Sequence, residues 1–292
     1  MKYSRLLIGL IASLPALAQD HSFKVGVDYG IMKTRINNPT ILGTAQPFSG
    51  PGQFNLLAEY GDTNPLGIDL ACRSGNDEFA LEMLSFSDTK SVTYPSGAYF
   101  INAAAGNPFS TGVKLAATIL DLKWNHYFPT KQAGTFATTL GARYGDFEDK
   151  VSSSGSSIAI VTDFKTTGFG LIGGVGYSYP FTSAFSVGAD YDIILFRGSD
   201  KSTGFDTDAT YYPAGTTAKK NSNYSQSDLR AHLDWKVTRA LAASVGYRRL
   251  GFGQVATTGV PANNNFEFTS AMYQPANGWR TDGWTLGLSY TF

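Results

Sequence analysis

The chain has one cysteine in 292 residues, Cys72, so no internal disulfide can form, and no metal-ligand spacing surrounds it. Charged residues are also scarce, at 16%, where a soluble domain usually carries about a quarter. Lysine plus arginine and aspartate plus glutamate balance at 23 each, which removes an electrostatic case for nucleic acid or an acidic partner. Beyond residue 18 there is no long charge-free apolar run, which excludes a membrane protein built from spanning helices. The glycine pairs Gly168-Phe-Gly170 and Gly251-Phe-Gly253 precede no helical pattern and are not nucleotide loops. No cofactor or metal site is expected.

Aromatics are abundant, at 14%, and so is glycine, with 32 residues. The N-terminus carries Lys2 and Arg5, a short apolar run from Leu6, and Ala16-Leu-Ala18. That order reads as a cleavable secretory signal over residues 1–18, too short in its apolar part to span a bilayer. No cysteine follows the cleavage site, so a lipid anchor is not expected, and residues 19–292 are expected to form one exported domain.

The last nine residues, Trp284-Thr-Leu-Gly-Leu-Ser-Tyr-Thr-Phe292, alternate strictly between large apolar and small polar side chains. In a strand this gives one apolar and one polar face. Ten such segments can be read: 22–36, 53–73, 79–93, 113–128, 135–149, 163–181, 185–199, 224–238, 241–258 and 279–292. The segment 53–73 is interrupted by Gly61-Asp-Thr-Asn-Pro65 and is kept as one strand with an irregular outer end. Connections alternate between short turns (74–78, 129–134, 182–184, 238–240) and long stretches (37–52, 94–112, 150–162, 200–223, 259–278) rich in glycine, serine, asparagine, proline and threonine. The expectation is an all-β, antiparallel, up-and-down transmembrane barrel of about ten strands, with eight or twelve possible. Loop 200–223, with Lys201, Asp206, Asp208, Lys219 and Lys220, and the asparagine-rich 259–278 are the likeliest contact sites.

A soluble sandwich would alternate in the same way, but it would not sort aromatics by height. Phe23, Phe79, Phe128, Phe136, Tyr179, Phe185, Trp235 and Phe292 all lie beside the short-turn end. A second row, Tyr29, Phe86, Tyr144, Tyr191 and Tyr247, recurs further along the strands, as girdles at two lipid interfaces would. The opposite parity would then face the lumen. It carries Lys24, Arg73, Lys123, Arg143, Arg230, Lys236 and Arg248 against Asp28, Asp69, Glu82, Asp121, Asp190, Asp192, Asp228 and Asp234, with His232 among them. These are the candidate pore-lining residues. Two readings stay open: an ion-pair network filling a narrow lumen, or a hydrated pore with separated charge clusters. Inward glycines such as Gly168, Gly170, Gly174 and Gly176 favour some opening, while the strand count favours filling.

Catalytic constellations are thin. His21 adjoins the cleavage site, His126 falls in the outward aromatic stretch Trp124–Phe128, and His232 has acids nearby but no marked nucleophile. Ten strands is also the size of the omptin proteases, yet no omptin-like pairs of acids and histidine stand on the upper strands, so no enzyme is expected. The terminal Phe292 resembles the signal read by the barrel-insertion machinery, and the chain as a whole resembles bacterial outer-membrane β-barrels. Leu140-Gly-Ala-Arg-Tyr144, Gly168-Phe-Gly-Leu-Ile-Gly-Gly174 and Phe185-Ser-Val-Gly-Ala-Asp-Tyr-Asp-Ile-Ile-Leu195 further resemble the Legionella-type major outer-membrane, pore-forming family. That resemblance implies pore formation in an abundant surface protein. The charged lumen itself points to a porin-like, narrow, weakly selective pore for small solutes or ions. The alternative is a non-conducting barrel whose loops serve adhesion, envelope stability or host contact. The partners implied are outer-membrane lipid and lipopolysaccharide, the assembly machinery and periplasmic chaperones, with no nucleic acid.

Overall fold

The computed structural model describes residues 21–36, 59–94, 99–100, 103–104, 109–130, 134–154, 159–206, 216–254 and 279–292. Thirteen strands follow in order: β1 (Ser22–Ile36), β2 (Glu59–Thr63), β3 (Leu66–Ser74), β4 (Asp77–Tyr94), β5 (Tyr99–Phe100), β6 (Ala103–Ala104), β7 (Phe109–Thr130), β8 (Gly134–Ser154), β9 (Ala159–Pro180), β10 (Phe185–Asp206), β11 (Thr216–Lys236), β12 (Leu241–Gln254) and β13 (Trp279–Thr291). β5 and β6 form a small separate hairpin. The remainder make one antiparallel sheet that closes on itself where β13 pairs with β1. Closure removes the sheet's free edges. β2 and β3 both pair with β1 and occupy one position in the wall, so the barrel has ten staves.

The expected interruption of the second stave lies at Asn64-Pro65, between β2 and β3. Proline cannot donate to a ladder. Here its carbonyl accepts from the Gly30 amide instead (2.8 Å). The outer part of that segment, 53–58, and the whole of the N-terminal 1–18 segment lie outside the described residues.

Local chemistry explains the short turns. Ser74 pairs with Asp77 across a two-residue turn whose Gly75 has φ +60°, a left-handed conformation that suits glycine. Two other turns repeat one device. The Thr182 hydroxyl accepts from the Ala184 and Phe185 amides (3.2 and 2.9 Å), and Thr238 accepts from Ala240 and Leu241 at the same distances.

The faces are sorted as the alternation requires. On β10, Phe185, Val187, Ala189, Tyr191, Ile193 and Leu195 point outward and are exposed. Ten residue steps span about 33 Å along the strand, or about 25 Å of height at the tilt such barrels adopt. The same belt continues round the wall through Leu122, Leu140, Leu171, Val245, Trp284, Leu286 and Leu288, all exposed. A continuous girdle of exposed large apolar side chains of that height is the surface of a membrane-spanning barrel.

Beyond the belt the polarity inverts. On the loop-side half of β10, Arg197, Ser199 and Lys201 face outward, while Ile194 and Phe196 are buried inside. β7, β8 and β12 show the same inversion: Lys114, Glu148 and Arg249 lie outside, and Leu115, Phe147 and Phe252 are buried inside. The strands therefore run past the bilayer as a water-exposed barrel with a conventional apolar core. This is why several long connections are shorter than alternation alone suggests. Outward apolar residues give out while the strands go on: β8 continues to Ser154, β9 starts at Ala159, β10 reaches Asp206 and β11 starts at Thr216. Lys201, Lys219 and Lys220 thus stand on strands rather than in a loop, while Asp208 and 259–278 lie outside the described residues.

Candidate functional site

The interior has three storeys. At the turn end lies a partly open chamber, in the middle a belt of paired charges, and towards the loop end an apolar cap.

Lys24, Arg73 and Lys236 stand at the mouth of the chamber and are exposed. Arg73 lies over the Tyr127 ring (4.3 Å to the centroid) and its Nε donates to the Gly75 carbonyl (3.2 Å). Asp28, Asp69, Asp190, His232 and Asp234 line the chamber wall and are partly buried. His232 is placed between two carboxylates, with Nε2 3.3 Å from Asp234 and Nδ1 3.7 Å from Asp190. Its ring lies over Gly188, where a Cβ would collide with the imidazole. Gly174 and Gly176 likewise make room for Asp192 and Asp190. The inward glycines therefore hold space for charged side chains projecting from the neighbouring strands.

The belt is built from Glu82 on β4, Asp121 and Lys123 on β7, Arg143 on β8, Asp192 on β10, Asp228 and Arg230 on β11, and Arg248 on β12. It holds four cations and four anions. Arg143 grips Asp121 through two parallel bonds, Nε to Oδ1 and Nη2 to Oδ2 (both 2.7 Å), and donates to Gln226 Oε1 through Nη1 (2.9 Å). Arg248 holds Asp228 in the same two-pronged way (3.0 and 2.7 Å). Lys123 Nζ donates to Glu82 (3.0 Å) and to Asp192 (2.8 Å). Arg230 Nη2 donates to Asp228 (2.9 Å) and to Glu82 (2.5 Å). Planar guanidinium groups meeting carboxylates two-pronged give the strongest pairs of this kind. Six of the eight are buried, with Arg143 and Asp121 1% exposed.

The belt crosses the lumen. β4 and β11 are five staves apart in a ring of ten, so the Arg230–Glu82 bond joins opposite walls. Lys123–Asp192 and Arg143–Gln226 each join staves three apart. The sequence-derived inward set is brought together here in two groups, the five chamber residues and these eight. Sequence parity puts them on one face but cannot pair them.

Sequence reasoning misses the cap. Leu84, Phe86, Leu115, Ile119, Phe147, Ile172, Ile194, Phe196, Tyr224, Leu250 and Phe252 form one buried cluster. The Phe252 ring lies 4.7 Å from both Phe147 and Tyr224. Above it the Tyr224 hydroxyl and the Thr166 hydroxyl both donate to Asp200 Oδ1 (2.6 and 2.8 Å). Alongside, Thr34 shares hydroxyl bonds with Thr63 (2.9 Å) and Thr281 (2.8 Å), all three fully buried. Phe86 is thus a correction. Sequence places it in the upper aromatic girdle, but it shares the parity of Glu82 and is 4% exposed inside. Phe169 and Trp284, both well over half exposed, stand among the outward aromatics instead. Phe23, expected in the lower row, is buried at 8%. A signal for the cap is present in the sequence: in Asp192-Ile-Ile-Leu-Phe196 the apolar residues occupy both parities, as they must where inside and outside exchange character.

His126 lies on the outward face as expected, with Nδ1 2.8 Å from Asp77 Oδ1, which also accepts from Trp124 Nε1 (2.9 Å).

The fold is that of a closed outer-membrane-type β-barrel. No protein-family model and no curated protein matches the chain, so the narrower Legionella-type resemblance has no support from those comparisons. The chain is also similar at low identity to several solved structures. The outer membrane protease OmpT of Escherichia coli is 12% identical, covering 94% of this chain and 98% of that one, with a TM-score of 0.44. The translocator domain of the autotransporter NalP from Neisseria meningitidis is 10% identical over 99% and 95%, with a TM-score of 0.42. A major outer membrane protein from Thermus thermophilus is 12% identical over 93% and 99%, with a TM-score of 0.39.

Proposed function

We propose that this chain is a bacterial outer-membrane barrel sealed by its own side chains, which carries its loop end clear of the bilayer for adhesion, envelope stability or host contact. One observation carries the reading: Arg230 and Glu82 are bonded between opposite staves within a belt of buried pairs. The apolar cap directly above supports it, because an ion crossing there would meet a buried apolar cluster with no polar lining to replace its hydration shell. Strand length supports the surface role. β10 continues beyond Leu195 to Asp206, which lifts the loop end about 25 Å above the apolar belt. In this reading Phe292 is the element read by the insertion machinery; its amide is bonded to the Phe23 carbonyl (2.8 Å), so the terminus is held in the closing seam.

The narrow-pore reading is favoured by the turn-end chamber, where Asp190 and Asp234 are nearly half and one-third exposed. It requires belt and cap to part. Single-channel recording of the refolded protein in a planar bilayer separates the two. The sealed reading expects silence from the unmodified barrel, with heat-modifiable gel mobility showing that it is folded. Discrete steps whose ion selectivity changes in Lys236→Glu would overturn it in favour of the pore.

A further inference from the structure

Most outward charge above the apolar belt is compensated. On β12, β13, β1 and β2 the register sets Arg249, Asp282, Lys33 and Asp62 side by side, alternating in sign. On β7 and β8, Lys114 is bonded to Glu148 (3.2 Å). The stretch over β9, β10 and β11 differs. Lys201 on β10 has Lys165 as its cross-strand partner on one side and Lys219 on the other. Like charges directly opposite one another destabilise a sheet. Lys165 has acids on its other side, Glu148 directly opposite on β8 and Asp146 at 3.1 Å, so it is compensated and Lys201 is the cation left facing lysines. Arg197 stands two pleats below Lys201 on the same face, and both are exposed. Between and beside them the outward residues are Ser199, Thr167, Asn221 and Asn223, which supply hydrogen bonds without charge. Among the described residues, the one acid on this face of the three strands near the row is Asp163, opposite Thr203 and one row higher.

Phe169 stands beside Arg197 as its cross-strand partner, and Leu171 and Leu195 lie one row below; these three are 66–71% exposed, the most exposed large apolar side chains described. Cations and amide donors immediately above a bare apolar wall match an amphiphile with anionic head and acyl chains. We infer that β9–β11 form a docking site for the phosphate groups of an outer-leaflet glycolipid, lipopolysaccharide in a bacterial outer membrane. Arg197 and Lys201 bind phosphate, Ser199 and the two asparagines bind the sugar, and the acyl chains lie along Phe169, Leu171 and Leu195. Arginine gives a phosphate a two-pronged partner, and the phosphate in turn relieves the Lys165–Lys201 pair. The site rests on the membrane placement, which is read separately by whether the unmodified protein inserts into vesicles.

The test is native mass spectrometry of the full-length folded protein in detergent, titrated with diphosphoryl lipid A, with its dephosphorylated form and with inorganic phosphate. Saturable binding of the phosphorylated glycolipid is expected. Each of Arg197→Gln and Lys201→Gln should weaken it about fivefold, the effect of one cation beside an anionic lipid surface. Lys33→Gln, in the compensated row, should leave it unchanged. Equal binding of dephosphorylated lipid A would overturn the proposal, as would unchanged affinity in both variants or inorganic phosphate binding as tightly as the glycolipid. Heat-modifiable mobility confirms that each variant is folded.

Discussion

Replacing Asp228 with asparagine keeps the side chain's size and removes one negative charge from the middle of the belt. Asp228 is 1% exposed and accepts from Arg248 through two bonds and from Arg230 through a third, with Arg143 3.7 Å away. In the variant, three acids remain for four cations: Asp192 stays with Lys123, the three guanidinium groups share Asp121 and Glu82, and a neutral belt acquires a net charge of +1 away from water. Breaking a buried pair by removing one partner typically costs about 3–5 kcal/mol, mostly because the remaining charge is stranded. Asp234→Asn is the control. That residue is about one-third exposed beside His232, and an exposed pair contributes only about 0–1 kcal/mol. Equilibrium urea unfolding in lipid vesicles, followed by tryptophan fluorescence, should therefore show a loss of about 3–5 kcal/mol for Asp228→Asn and under about 1 kcal/mol for Asp234→Asn. A similar small loss in both would mean that water reaches the belt. The account of a sealed lumen would then fail.

Ala189→Arg places a charge near the middle of the outward belt and should cost about 2–4 kcal/mol in the same assay, whereas Ser87→Arg, exposed above the belt on β4 and level with Glu148, should cost about nothing. Equal effects would refute the assigned membrane height. Phe196→Ala hollows the apolar cap and should lower stability by about 3–5 kcal/mol, although the same change at an outward aromatic would leave no cavity. Gly188→Val should be destabilising because its Cβ meets the His232 ring. If His232→Ala combined with Gly188→Val recovers most of that loss, the collision is the cause; no recovery would refute the packing described.

Much of the architecture can be read from alternation alone. The first strand, 22–36, the two Thr-x-Ala turns and the ten-stave count follow from side-chain periodicity and turn chemistry, which are local properties. The inward parity of all sixteen candidate residues, from Lys24 to Arg248, follows from the same two-residue period. The loop-end boundaries do not follow. Apolar residues on both parities, as in Asp192–Phe196, mark a change of faces, but Phe86, Phe147 and Phe196 do not by themselves say whether a strand stops there or runs on.

Sequence by itself determined that these strands have one apolar and one polar face, and that turns fall where glycine or threonine permits them. The period of a strand is set by its own backbone, so those facts need no partner. Only the tertiary structure decided that Arg230 meets Glu82 across the ring, that Asp228 gathers the guanidinium groups around it, and that the strands run on above Leu195 around one apolar cap. Those outcomes depend on closure, stagger and distance between residues up to 148 positions apart, and on where the bilayer ends, which the local pattern of a strand does not contain.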